Sequence, residues 1–102
     1  MTDLKPMHNP PHPGEFISEV YMASSGFSVR QLAGKLGVTA STLQRLLSGA
    51  HRVSPEMALR LSFVLGRSAE SWLAMQASYD LWHAGQTIRA EDFNRIDWDE
   101  AS

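Results

Sequence analysis

An all-helical domain of five helices with a short C-terminal tail is the fold this sequence predicts, and three observations lead to it. Between residues 13 and 84 the apolar side chains recur at helical spacing, and no alternating pattern of strand type appears before residue 85. Each periodic run opens on a residue suited to a helix start, and four of the five are closed by a glycine. At 102 residues and 43% hydrophobic content, the chain can bury one modest core but not two.

Residues 1–12 hold Pro6, Pro10 and Pro11 among few apolar side chains, which predicts a loosely held arm. Residues 13–84 form the domain. Pro13 suits the first position of a helix, and Phe16, Ile17, Val20 and Ala23 are expected to share one face of it until Gly26. Ser28 and Gln31 read as a capping box for a second helix ending at Gly37. Thr39 caps a third, through Ser48, stopped by Gly49. Ser54, Pro55 and Glu56 open a fourth, whose Met57, Ala58, Leu61, Val64 and Leu65 point to the core before Gly66 ends it. Ser68 caps a fifth, to about residue 84, and residues 85–102 follow as an acidic tail.

The second and third helices carry the functional signal. Leu32, Leu36, Leu43, Leu46 and Leu47 form the inward positions, and Ala33 is small where the third helix must pass close. Gly37 supplies a left-handed corner and Val38 plugs it. Ala33, Gly37, Leu43 and Leu46 thus have helix-turn-helix spacing, in which the second helix of the pair stands proud and enters a major groove. Stepping 100° per residue from a buried Leu43 puts Ser41, Arg45 and Ser48 on the opposite side, flanked by Thr42 and Gln44. Arg matches guanine, Gln matches adenine, and the hydroxyls serve base edges or phosphate. Thr39 and the free N–H groups of the first turn suit a phosphate, and Arg30 and Arg52, with Lys35, would add phosphate contacts around the groove.

The charge distribution agrees with a duplex DNA partner. The formal net charge is -2, which excludes an unspecific basic coat, but residues 28–67 carry Arg30, Lys35, Arg45, Arg52, Arg60 and Arg67 against Glu56 alone. The tail sets Arg89 and Arg95 against Glu91, Asp92, Asp97, Asp99 and Glu100. Ile88, Phe93, Ile96 and Trp98 are interspersed there, leaving two readings open: a frayed or locally packed end, or a segment that docks on a cationic protein.

The fifth helix is apolar on two sides. Trp72, Met75, Tyr79 and Trp82 form one stripe and Leu73, Ala77 and Leu81 another. A single domain usually covers one such face, so a homodimer is expected, with the Trp72, Met75, Tyr79 and Trp82 stripe as its candidate interface. Two recognition helices about 34 Å apart would then read a palindrome.

Other chemistry lacks support. No cysteine is present, which points to a reducing compartment and a cytoplasmic protein, and there is neither a signal-peptide pattern nor an apolar run of membrane-spanning length. His8 and His12 are separated by prolines and have no carboxylate pair beside them, so no metal and no cofactor are expected. A hydrolytic grouping of Ser41, His51 and Asp80 would need a strained nucleophile turn that the sequence lacks, and the chain is not expected to be an enzyme.

The segment from His12 to about Leu81 resembles the HigA family of antitoxins, within the phage-repressor-like helix-turn-helix proteins. The residues that carry the resemblance are "HPGEFI" at 12–17, "LAGKLGVTASTLQRLLSG" at 32–49, "SPEMALRLSFVLG" at 54–66 and "ESWLAMQASYDL" at 70–81. The resemblance implies a lambda-repressor-like fold and a homodimer that neutralises a RelE/HigB-like mRNA-cleaving toxin and represses its own operon at a palindromic operator. Thr39, Ser41, Thr42 and Arg45 would correspond to operator-contacting positions. Many phage-type repressors carry Gln where this chain has Val29 and Ala40, so base specificity does not transfer. The alternative is a stand-alone helix-turn-helix regulator without a cognate toxin.

Overall fold

The computed structural model describes residues 9–101. Residues 1–8 of the expected arm lie outside this range, and so does His8. Five principal helices are present, and no strand occurs among the described residues. Helix α1 runs as α-helix over Pro13–Phe16, as π-helix over Ile17–Met22 and as α-helix over Ala23–Ser25; α2 is Val29–Leu36, α3 Ala40–Leu47, α4 Pro55–Leu65 and α5 Ala69–Ala84. A 3₁₀ turn at Ala90–Asp92 and a short α6 at Trp98–Ala101 lie in the tail.

The start signals act as the local chemistry requires. Ser28 Oγ accepts from Gln31 N–H while Gln31 Oε1 accepts from Ser28 N–H, so two free donors at the start of α2 are satisfied reciprocally. Thr39, Ser54 and Ser68 each accept a backbone N–H three residues on. His12 caps α1: its Nδ1 accepts from Gly14 N–H at 2.9 Å, a role the sequence reading did not assign.

One expectation for α1 is corrected. Val20 and Ala23 are exposed, and Tyr21 turns inward to meet Phe16 and Trp72 instead. The cause is the π turn, in which Ala23 N–H donates to Ser18 O five residues back. The wider turn shifts the inward face away from the positions that a regular 100° step selects.

Ile17, Leu32, Ala33, Leu36, Leu43, Leu46, Val53, Ala58, Leu61 and Trp72 form the core, with every principal helix represented. Helix α5 packs against α4 and also meets α1, while α1 lies across α3. Trp72 is wholly enclosed by the protomer, with Phe16 and Tyr21 against its ring and Arg67 stacked over it, and this corrects its assignment to a dimer interface. A side chain with no accessible surface in the protomer has none to offer a second copy. Met75, Tyr79 and Trp82 are half-buried, and Tyr79 meets His12 and His83.

Candidate nucleic-acid interface

The corner between α2 and α3 is built from short-range hydrogen bonds. Gly37 has φ 75°, and Val38 N–H donates to Ala33 O at 3.1 Å while Gly37 N–H reaches Gly34 O at 3.3 Å. This closes the last turn of α2 in a Schellman-type arrangement at a backbone conformation that only glycine adopts without strain. Arg60 of α4 then reinforces the corner, donating to Leu36 O at 2.9 Å and to Gly37 O at 3.3 Å while Glu56 holds its other nitrogens. A cation on the terminal carbonyls of a helix also complements its dipole.

The corner and the core together orient α3. Leu43 and Leu46 are buried, whereas Ser41, Gln44, Arg45 and Ser48 are exposed and Thr42 is half-buried. Ser41, Gln44 and Arg45 make no side-chain hydrogen bond among the described residues, so their polar groups are free to meet a ligand. The other hydroxyls are partly engaged. Thr39 Oγ1 accepts from Thr42 N–H at 3.0 Å and donates to Thr42 Oγ1 at 2.9 Å, and Ser48 donates to Arg45 O. Thr39 and Thr42 therefore stiffen the first turn of α3 as well as facing outward.

The structure also sorts the six cations of residues 28–67, which sequence alone treats as one patch. Arg60 is committed to the corner, and Arg67 stacks over Phe16 and Trp72 and donates to Ser71. Lys35 lies 5.5 Å from the centre of the Phe27 ring. Arg52 pairs with Asp80 of α5, which is itself held by Gln76 Nε2 at 3.1 Å. Gln76 is buried, and its Oε1 accepts from Val53 N–H at 2.8 Å. A polar chain thus ties the loop after α3 to α5, and Arg52 extends from that tether with its side chain still largely exposed. Arg30 and Arg45 are exposed and form no ion pair among the described residues. The sequence reading missed the Gln76–Asp80 tether because nothing in a linear pattern marks two polar residues on a helix as partners of a distant loop.

Among the described residues, no group of three or more His, Cys, Asp or Glu side chains could hold a metal ion, and no helix is long and apolar enough to cross a membrane.

Comparison with known proteins agrees with this geometry. The family described as "Helix-turn-helix domain" matches residues 20–72. The chain is 36% identical to the uncharacterized HTH-type transcriptional regulator YddM of Escherichia coli K12, covering 88% of this chain and 95% of that protein. It is 31% identical to antitoxin HigA-1 of Vibrio cholerae, over 85% of this chain and 82% of that one. The solved structure of antitoxin GraA in complex with its operator superposes with a TM-score of 0.80 at 38% identity, covering 92% of this chain and 98% of its own.

Proposed function

Since this chain belongs to the helix-turn-helix family that contains the HigA-type antitoxins, we propose that it binds a palindromic operator as a homodimer, represses its own operon there, and neutralises a RelE/HigB-like toxin. The observation that carries the DNA reading is the outer face of α3. Ser41, Gln44 and Arg45 stand exposed and unengaged on a helix whose opposite face is locked by Leu43 and Leu46. The likeness to antitoxin GraA, solved in complex with its operator, supports operator binding by this fold. In this reading Arg45 and Gln44 address base edges, Ser41, Thr42 and Ser48 serve bases or phosphate, and Thr39, Arg30 and Arg52 address the backbone.

Self-association is supported by apolar side chains that the protomer leaves uncovered. Phe63 on α4 is 81% exposed and Leu81 on α5 is 72% exposed, so these outward positions are the candidates for the interface, the half-buried Met75, Tyr79 and Trp82 keep part of their surface available, and Trp72 has none to offer. Toxin binding is supported by the tail, where Ile88, Phe93, Ile96 and Trp98 are all exposed among Glu91, Asp92, Asp97 and Asp99. Apolar anchors surrounded by acids suit a cationic protein surface.

The test has two parts. The purified protein is titrated onto a duplex from its own upstream region and onto a random duplex at several salt concentrations; equal affinity for both removes the operator reading. The neighbouring reading frame is then expressed alone and with this chain. Growth arrest relieved by co-expression supports the antitoxin role. Absence of a toxic neighbour favours the stand-alone regulator, a reading that the similarity to YddM also supports.

A further inference from the structure

The buried run His12-Pro13-Gly14 does more than start a helix. Gly14 lies so close to the last turn of α3 that a Cβ placed on it would sit 1.9 Å from Leu46 O and 2.8 Å from Leu47 Cα. Both are backbone atoms, so a neighbouring side chain cannot yield to make room. The ring of His12, only 6% exposed, seals the same end. Its Nδ1 accepts from Gly14 N–H, and it meets Tyr79 edge-on at 4.9 Å. A Cβ on Gly49, just past α3, would lie 3.8 Å from the His12 ring. The far end of α3 is thus seated on backbone and ring, while its outward side chains Ser41, Gln44 and Arg45 are free.

We propose that His12, Pro13 and Gly14 are positioning residues for base recognition: by fixing how closely α1 approaches the last turn of α3, they set how far Arg45 and Gln44 reach from the body. The proposal rests on the reading of α3 as the operator-reading helix. Its force comes from the distances involved. Any side chain at position 14 must drive α1 and α3 apart by about 1 Å, since real Cβ contacts do not fall below 3.0 Å. Good base-edge hydrogen bonds occupy a window of only about 0.5 Å. A displacement of that size breaks bidentate base contacts but leaves long-range attraction to phosphate nearly unchanged.

The experiment compares operator and random duplex affinities for the full chain and its variants. Gly14→Ala is expected to lower the operator-to-random ratio by about tenfold or more while random-duplex affinity stays near wild type. Adding Gly14→Ala to Arg45→Ala should lower the ratio little further, because the contact that it displaces is already gone. Should Gly14→Ala fail to fold, His12→Ala serves in its place and should lower the ratio several-fold, with His12→Asn, which keeps an acceptor for Gly14 N–H, recovering part of it. Losses equal on both duplexes, losses that add fully to those of Arg45→Ala, or an unchanged ratio in folded variants would each overturn the proposal. A wild-type protein with no operator preference would instead remove the DNA reading on which it rests.

Discussion

Helices α3 and α5 meet the same core, yet their surfaces are organised differently. In α3 the division is sharp: Leu43 and Leu46 are enclosed, and Ser41, Gln44 and Arg45 face outward. In α5 it is blurred, for Trp72 and the polar Gln76 are both buried while the apolar Leu81 is exposed. The contrast separates two kinds of surface. A helix that will meet phosphates and base edges needs a polar outer face, and such a face costs nothing in the free protein because water solvates it. A helix that meets protein, as proposed for α5, would keep apolar groups outside, where the isolated protomer gains nothing from them.

The sharpest way to break that contrast is to truncate the two ends of α5's range of burial. Trp72→Ala should destabilise the protomer by about 3–5 kcal/mol, measured by urea unfolding, because it empties the space between Phe16, Tyr21 and Arg67. Were Trp72 an interface residue, the variant would instead unfold near wild type and lose only self-association. Leu81→Asp and Phe63→Asp test the outward positions. Each should weaken dimer formation by about 2 kcal/mol or more in sedimentation equilibrium while leaving the unfolding of the monomer nearly unchanged. Wild-type self-association in both variants would remove these faces from the interface.

Substitutions in and beside α3 sharpen the other half of the comparison. Arg45→Ala should cost about 1–3 kcal/mol of discrimination, read as the loss of operator affinity beyond any loss on random duplex. Arg52→Ala should weaken both duplexes alike and reduce the salt slope by about one. The two arginines differ in their surroundings: Arg45 is unpaired among the described residues, whereas Arg52 is held by Asp80 on α5. Equal, sequence-independent losses for both would mean that α3 supplies charge and no base recognition.

How much of this was legible in the sequence depended on the range of the interactions. The helix starts at Ser28, Thr39, Ser54 and Ser68 could be read because each cap bonds a backbone group three residues away. The exposed face of α3 was legible for a similar reason, since a regular 100° step carries Leu43 inward and Arg45 outward. That step fails in α1, where the π turn exchanges Val20 for Tyr21, and in α5 it placed on the candidate interface a Trp72 that the core encloses. The remaining features are nonlocal. Arg60 reaches a carbonyl 24 residues back and Gln76 a backbone N–H 23 residues back. Likewise, Gly14 is small because of a backbone that arrives 32 residues later. No periodicity encodes such meetings, so the six cations looked like one patch until their partners were known.

His12 provides the mildest perturbation at the junction of α3 and α5. Burial lowers its pKa from the ordinary value near 6.5, partly opposed by Asp80, the His51 backbone and Glu15, with Arg52 adding to the lowering. Tyr79 and His83 complete the ring's surroundings. Protonation would also turn Nδ1 from an acceptor into a donor facing Gly14 N–H. With the folded pKa below the unfolded one, the unfolded chain takes up the proton first. Stability is therefore complete above about pH 6.5 and declines as the pH falls through that value toward the folded pKa. Urea midpoints of the wild type and His12→Asn should accordingly converge as the pH is lowered from 7.5 to 5.5. The opposing acids keep this the smallest of the predicted effects. A constant gap across that range would mean that the ring acts only by its shape, and that proton uptake there does not loosen the seat of α3.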